Sequence, residues 1–525
     1  MRRIQILDCT LRDGGYQNDC CFGYDNQKKI TMGLVEAGID IIECGFFTNT
    51  ISYDPNVTRF NSMEQIAQII PNDREGKLFV VLADYGKYNL EDIPRCSGDS
   101  VDGIRVAFHK KDRMAALDDC KAIKEKGYKV FVQAMVSINY SDEEFLDLIK
   151  KVNDIKPFAF YIVDSFGMMK NKDLIRLFYI LEHNLDDSIW IGFHSHNNIQ
   201  LAYSNAQSLV NINSERNLII DSSIYGMGRG AGNLNTELFV EYLNENTGTR
   251  YDIKPLLTII DEILNDFYQR NYWGYSLPNY LSAIHNAHPN YASFLDDKKT
   301  LTIGAMNEIF DLMAEDKKFS YDKQYIEELY ISYMANGKTQ SEHYDELKNH
   351  FLDKKVLLIA PGKSSVDEKE IIMDFVKSND VLSISVNFDY QMVRTDFIFL
   401  SNLRRYRELM PDKQSKCIVT SNIPTENAYL QIKYRDLLTT EEAVKDNAGL
   451  MAIKFLINSG VREVYLAGFD GYAHDVQENY GDSHMAFITK NVVLDAINIG
   501  MNKVLKQYND QITIHFLTKE NHISL

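Results

Sequence analysis

Cysteine is scarce in this chain. There are seven in 525 residues: Cys9, Cys20, Cys21, Cys44, Cys96, Cys120 and Cys417. An odd, scattered set argues against a disulfide framework and for free thiols in a reducing cytoplasm. The adjacent Cys20-Cys21 pair lacks zinc-site spacing. No apolar run approaches the ~20 residues needed to cross a bilayer. A basic block is also missing, and the formal net charge is -18, so neither nucleic acid nor an anionic membrane is an expected partner. The opening Met1-Arg2-Arg3-Ile4-Gln5-Ile6-Leu7-Asp8 lacks the long apolar core of a signal peptide and reads as a strand. Repeats and low-complexity tracts are absent. What is plentiful is core material: 45% hydrophobic residues, with 31 Tyr and 27 Phe, in a chain long enough for more than one domain.

The first half alternates short apolar runs with helix-length segments. Strands are expected at Ile4–Cys9, Ile39–Gly45, Leu78–Ala83, Gly103–Phe108, Lys129–Met135, Phe158–Val163, Ile189–Phe193 and Leu218–Ser222. Helices are expected at Gln27–Ala37, Arg113–Lys126, Asp142–Val152, Lys172–His183, Ile199–Leu209 and Thr236–Tyr242, with capping signals such as Ser141-Asp142-Glu143-Glu144. The strands are continuously apolar, as parallel strands covered on both faces should be. Eight such units in the first 250 residues fit a TIM (β/α)8 barrel, usually about 250 residues long. An open doubly wound sheet is the alternative. The polar residues favour the barrel, because Asp13, Glu43, Asp84, His109, Asp164 and His194 all fall at or just after strand C-terminal ends, which a barrel gathers into one mouth.

Residues 251–340 turn helical around an aromatic loop, Tyr272-Trp273-Gly274-Tyr275-Ser276-Leu277-Pro278-Asn279-Tyr280. This extension either packs on the barrel or lids its mouth. A polar linker is expected at residues 336–346. A Rossmann-like αβ domain follows over residues 347–525, with a long helix expected at Thr440–Asn458.

Two distant fragments carry the chemistry. Thr10-Leu11-Arg12-Asp13-Gly14 follows the first strand, and His194-Ser195-His196-Asn197 ends the seventh. In a closed barrel only the eighth strand separates them, a gap of roughly 10 Å at about 4.8 Å per strand. A period of two puts His194 and His196 on one face. The loop after strand eight, Gly226-Met227-Gly228-Arg229-Gly230-Ala231-Gly232-Asn233, brings Asn233 to the same point. One carboxylate, two imidazoles and an amide oxygen suit Mn²⁺, with Mg²⁺, Co²⁺ or Zn²⁺ as alternatives.

These motifs resemble the T-L-R-D-G, H-x-H-N/D and G-x-G-A-G-N signatures of the DRE-TIM metallolyase superfamily, the HMGL-like barrels. Its aldolase-like members, similar to 4-hydroxy-2-oxovalerate aldolase, match best. The resemblance spans about residues 3–245. It implies metal binding by Asp13, His194, His196 and Asn233, enolate stabilisation by Arg12, and substrate contacts from Glu43, Asp164 and Ser165. It further implies a carbon–carbon lyase acting on a 2-oxo acid such as pyruvate and an aldehyde, working as a homo-oligomer. One departure matters. The hydroxy-oxovalerate aldolases use a His as general base where this chain has Tyr16, a weak base at neutral pH. Tyr16 then works as an acid or through water, or the base is His109, His285 or His288. An acyl-CoA-dependent synthase is the alternative within the superfamily, but its R-D-G-E-Q motif is absent. A non-catalytic regulatory or carbohydrate-binding fusion is the alternative outside it.

In the last domain, Ala360-Pro361-Gly362-Lys363-Ser364-Ser365 follows a strand, and its amides are candidates to cradle a phosphate. Leu357 stands where a Walker A loop needs glycine. With Ala467-Gly468-Phe469-Asp470-Gly471-Tyr472 it faintly resembles Rossmann-like domains of nucleotide-sugar or pterin-phosphate enzymes, which implies a nucleotide or phosphate ligand.

Overall fold

The computed structural model describes residues 2–336, 348, 350, 351, 354–485, 489 and 491–525. Beyond Asn336, the expected linker lies outside the described residues. The chain divides into two compact units, Met1–Pro289 and Asn290–Leu525. Among the described residues no helix is long and apolar enough to cross a membrane.

In the first unit eight parallel strands close on themselves. They are β1 (Ile4–Asp8), β2 (Ile41–Phe47), β3 (Leu78–Asp84), β4 (Gly103–Phe108), β5 (Lys129–Ala134), β6 (Ala159–Asp164), β7 (Trp190–Ser195) and β8 (Leu218–Ser222). Strand β1 pairs with β8 through Ile4↔Leu218 to Asp8↔Ser222, and with β2 through Leu7↔Ile41 and Asp8↔Ile42, which completes the TIM barrel. Alternate residues serve two cores, as the strand period requires. Leu7, Ile41, Val80, Phe131 and Ile219 fill the interior, whereas Ile6, Ile42, Val81, Val132 and Ile220 pack against the outer helices.

Each expected strand is present, with small shifts that have local causes. Strand β2 starts at Ile41 rather than Ile39 because Gly38 (φ +82°) and Ile39 finish the preceding helix, their N–H groups donating to Val35 O (2.9 Å) and Leu34 O (3.0 Å). The helix expected from Ile199 begins at Ala202, whose N–H donates to the Asn197 side chain (3.1 Å). Ser141 and Glu144 form the anticipated capping box. After the barrel, helical turns run from Lys254 to Arg270 with a π-turn at Ile260–Leu264. Ile259 there sits so close to Gly33 that a Cβ on the glycine would lie 2.7 Å from its Cδ1. From the aromatic loop, Trp273 is buried and donates through Nε1 to Tyr225 O (2.9 Å), which pins the loop that follows β8.

The second unit holds seven parallel strands: β9 (Lys355–Ile359), β10 (Val381–Val386), β11 (Phe397–Leu400), β12 (Cys417–Thr420), β13 (Leu430–Ile432), β14 (Glu463–Ala467) and β15 (Thr513–Phe516). Their order is β13-β12-β11-β10-β9-β14-β15, so the winding reverses between β9 and β14. A cavity of about 800 Å³ opens there, lined by Gly362, Asn387, Gly449 and Gly468 among others. The long helix starts at Ala448, not Thr440, because the Asn447 side chain accepts from Leu450 N (3.2 Å) and caps it.

Gly192 in β7 leaves no room for a side chain, since a Cβ would overlap the Tyr161 ring in the barrel interior. Gly192→Ala is therefore expected to destabilise the barrel by about 1–3 kcal/mol. A lower thermal midpoint by circular dichroism checks this, and an unchanged midpoint contradicts it.

Candidate metal centre

The residues that close the barrel also assemble the site. Asp13 lies just past β1, His194 is in β7 and His196 follows it, pairing with Asn233 in an isolated bridge. Candidate ligand atoms of Asp13, His194 and His196 all lie within 4.8 Å of one another, and all three side chains are buried. Asn233 joins them by donating Nδ2–H to Asp13 Oδ2 (2.7 Å) and to Met227 O (3.2 Å). Two buried atoms in this cluster have no hydrogen-bond partner among the described residues, Asn233 Oδ1 and His196 Nδ1, the latter standing 3.6 Å from Asp13 Oδ2. An unpaired buried acceptor is costly, on the order of 1–3 kcal/mol, and a cation is one way to satisfy it. The donor set is oxygen and nitrogen without thiolate, which fits a divalent ion. The glycines of the loop after β8 make the approach feasible: a Cβ on Gly228 would sit 3.1 Å from Asp13 Oδ2.

Behind the ligands runs a buried sequence of alternating charges. Arg12 donates through Nη1 to Asp13 Oδ1 (2.7 Å) and through Nε to Glu43 Oε2 (2.8 Å). Glu43 Oε1 pairs with Arg105 Nη1 (2.9 Å), and Arg105 Nη2 pairs with Asp221. Asp221 Oδ2 then meets His194 Nδ1 (2.9 Å). The Arg105 guanidinium lies over the Tyr161 ring at 5.0 Å. A carboxylate on Nδ1 orients the His194 ring and leaves Nε2 as its ligating atom.

The local field suits a cation. Burial alone would raise the Asp13 carboxyl, but His196, Arg12, His194 and Arg229 outweigh it and hold the group below the usual carboxylate range. Burial pushes the His196 imidazole down to about 3, so the ring is neutral at pH 7 and its lone pair is available.

Asp13, His194, His196, Asn233, Arg12 and Glu43 thus converge on one point. Glu43 is fully enclosed, and both its oxygens serve arginines. Asp164 and Ser165 stand at the adjoining turn after β6. Asp164 accepts backbone N–H bonds from Met168 and Met169 (both 3.0 Å), and the Ser165 hydroxyl accepts from Val136 N (3.0 Å). Tyr16, 40% exposed, stacks edge-on against Phe46 (5.9 Å), and partial desolvation raises its hydroxyl to about 12. His109 follows β4, its pKa lowered chiefly by burial. His285 closes the helix Leu277–Ile284. His288 stands edge-on to Phe166 (5.4 Å), and burial followed by the charges of Arg229 and His109 lowers it to about 3.

Three residues of this site carried no expectation: Arg105, Asp221 and Arg229. The first two had a visible signal, a charge in the middle of an otherwise apolar strand, Gly103–Phe108 and Leu218–Ser222. Buried charges of that kind need partners. Arg229 was hidden among loop glycines.

The closed (β/α)8 barrel thus carries a buried carboxylate–imidazole cluster at its C-terminal mouth, a candidate divalent-metal centre. Residues 3–263 match the HMGL-like family model, and this part of the chain belongs to that family of metal-dependent carbon–carbon lyases. Relatives include a 4-hydroxy-2-oxovalerate aldolase from Geobacillus genomosp. 3, 28% identical over 46% of this chain and 70% of its own length. Another, from Carboxydothermus hydrogenoformans (strain ATCC BAA-161 / DSM 6008 / Z-2901), is 26% identical over 50% of this chain and 77% of its own. Among solved structures, the N-terminal domain of a Bacteroides vulgatus protein described as an aldolase is 28% identical. It covers 57% of this chain and 98% of that one, with a TM-score of 0.49.

Asp13→Asn is expected to weaken Mn²⁺ binding the most, and Asp221→Asn, which among the candidate ligands touches only the His194 ring, by roughly 10–100-fold. Calorimetric titration of chelator-treated protein measures both. Wild-type affinity in Asp221→Asn would show that the carboxylate does not orient the ligand.

Proposed function

We propose that the barrel unit is a divalent-metal-dependent aldolase that makes or breaks the carbon–carbon bond beside the carbonyl of a pyruvate-type 2-oxo acid, with an aldehyde as the other partner. The observation that carries this reading is the Asp13–His194–His196 cluster with the Arg12 guanidinium bonded to it. The relatives named 4-hydroxy-2-oxovalerate aldolase support it.

Asp13, His194, His196 and Asn233 would hold the ion, Mn²⁺ in our reading, or Mg²⁺, Co²⁺ or Zn²⁺. When bound, it supplies a Lewis acid that draws electron density from a 2-oxo acid's carbonyl. Arg12 has Nε and Nη1 committed to Glu43 and Asp13, which leaves Nη2 to donate to the oxygen that gains charge as a proton leaves the neighbouring carbon. Because Glu43 and Asp13 fix the guanidinium before substrate arrives, little reorganisation is needed. Tyr16, with its hydroxyl raised to about 12, stays protonated at neutral pH and donates to the aldehyde oxygen. We assign proton abstraction to His109, whose lowered pKa keeps the ring neutral at pH 7. Glu43, Asp164 and Ser165 shape the site from behind, and His285 belongs to the segment that flanks the mouth. The free cysteines support a cytoplasmic setting.

The test is uptake of deuterium into the methyl group of pyruvate. Wild type reloaded with Mn²⁺ is expected to exchange, and Asp13→Ala to lose at least ~100-fold of that rate, in keeping with loss of a catalytic ion. Equal exchange in both, or none in either, removes the aldolase reading. Thiol release from acetyl-CoA with a 2-oxo acid would assign the synthase instead.

For the second unit we infer a nucleotide or phosphate ligand in the cavity at the winding reversal, where open αβ sheets hold their ligands. The Gly362–Ser365 turn is not its cradle. The Gly362, Ser364 and Ser365 amides already donate to Gly468 O (3.1 Å), Asp470 Oδ2 (2.8 Å) and Gly362 O (3.0 Å). Saturation-transfer NMR with uridine and cytidine monophosphates is expected to show binding that Gly449→Phe, which fills the cavity, abolishes. Signals unchanged by that substitution would place the ligand elsewhere.

A further inference from the structure

Arg229 is a cation at the barrel mouth that no carboxylate contacts among the described residues. Arg12 and Arg105 each bridge two carboxylates. Arg229 forms no ion pair among the described residues. Its Nη2 donates to a backbone carbonyl, Ser165 O (2.6 Å), and its guanidinium lies 5.6 Å from the Tyr16 ring centroid. Its buried Nε has no hydrogen-bond partner among the described residues. The Asp13 carboxyl, His196 and His288 all lie within its electrostatic reach, so it stands beside the metal cluster.

Nor is the side chain free to swing away. Its loop is clamped to the turn after β6: the Ala231 N–H donates to Asn198 Oδ1 (2.8 Å), and Asn198 Nδ2 donates to Phe166 O (2.9 Å). Gly230 next to it has φ +67°, and a Cβ there would press on Asn198 Oδ1 at 2.7 Å. A part-desolvated guanidinium, fixed in place and lacking a carboxylate, is a preformed site for one.

We propose that Arg229 selects the substrate by its negative charge, its guanidinium receiving a carboxylate of the reacting molecule. The proposal rests on the aldolase reading for the identity of that molecule. A 2-oxo acid brings a carboxylate as the donor, and an acidic aldehyde brings one as the acceptor, so the two sources need separate arms.

Binding to the full-length, Mg²⁺-loaded protein is measured by calorimetry with two probes, pyruvate and succinic semialdehyde, for wild type, Arg229→Gln and Arg229→Lys. Arg229→Gln is expected to weaken at least one probe tenfold or more, while Arg229→Lys, which keeps the charge, retains most of the affinity. Loss confined to pyruvate assigns the donor carboxylate, loss confined to succinic semialdehyde the acceptor, and loss of both a guanidinium shared by the two. A loss below tenfold for both probes in Arg229→Gln overturns the proposal. If Arg229→Gln melts early, Arg229→Lys beside Arg229→Met decides, equal affinities in the two overturning it. The experiment requires no turnover. Wild type that binds pyruvate through Arg229 but fails to exchange its methyl protons would sink the aldolase reading and leave the anion site standing.

Discussion

A run of alternating charges holds the mouth of the barrel in one arrangement: Asp13, Arg12, Glu43, Arg105, Asp221, then the His194 ring. Its two ends are both candidate metal ligands, so the run is a loop that a cation would close. Apart from the adjacent Arg12 and Asp13, its members come from different places in the chain, and none tolerates burial without its neighbours. Removing one partner strands a charge in a dry interior, a cost of about 3–5 kcal/mol. That interdependence is what makes the cluster a rigid framework and not a set of separate surface pairs.

The barrel is what lets the run exist. Arg105 occupies the middle of β4, where an open sheet would offer a guanidinium nothing but apolar neighbours. Closure brings Glu43 from β2 and Asp221 from β8 to it across the interior, with the Tyr161 ring beside it. The loops then add what the strands cannot. Gly228 permits close backbone approach to Asp13, and Trp273 pins Tyr225 from outside. Fold and site are therefore one construction, because the side chains that fill the upper interior are the ones that orient the ligands.

Much of this was legible from residues alone, for identifiable reasons. The eight strands stood out because parallel strands covered on both faces are continuously apolar. Asp13, His194, His196 and Asn233 were found by spacing, since a closed barrel leaves one strand between the first and seventh. Where the reading fell short, long-range geometry was responsible. Arg105 and Asp221 carried no expectation because their partners are 27 to 116 residues away in sequence. The capping by Asn447 overrode a run that read as one long helix from Thr440. Backbone amides in the Gly362–Ser365 turn invited a phosphate until Gly468 and Asp470 proved to occupy them.

The pairing around the mouth has an electrostatic consequence. Within the run, the three carboxylates of Asp13, Glu43 and Asp221 outnumber the guanidinium groups of Arg12 and Arg105, so it carries one net negative charge. A divalent ion closing the run would turn that into one net positive charge in a low-dielectric space. The next occupant that restores balance would be a singly charged anion, so loading the ion would itself create the attraction for such a molecule.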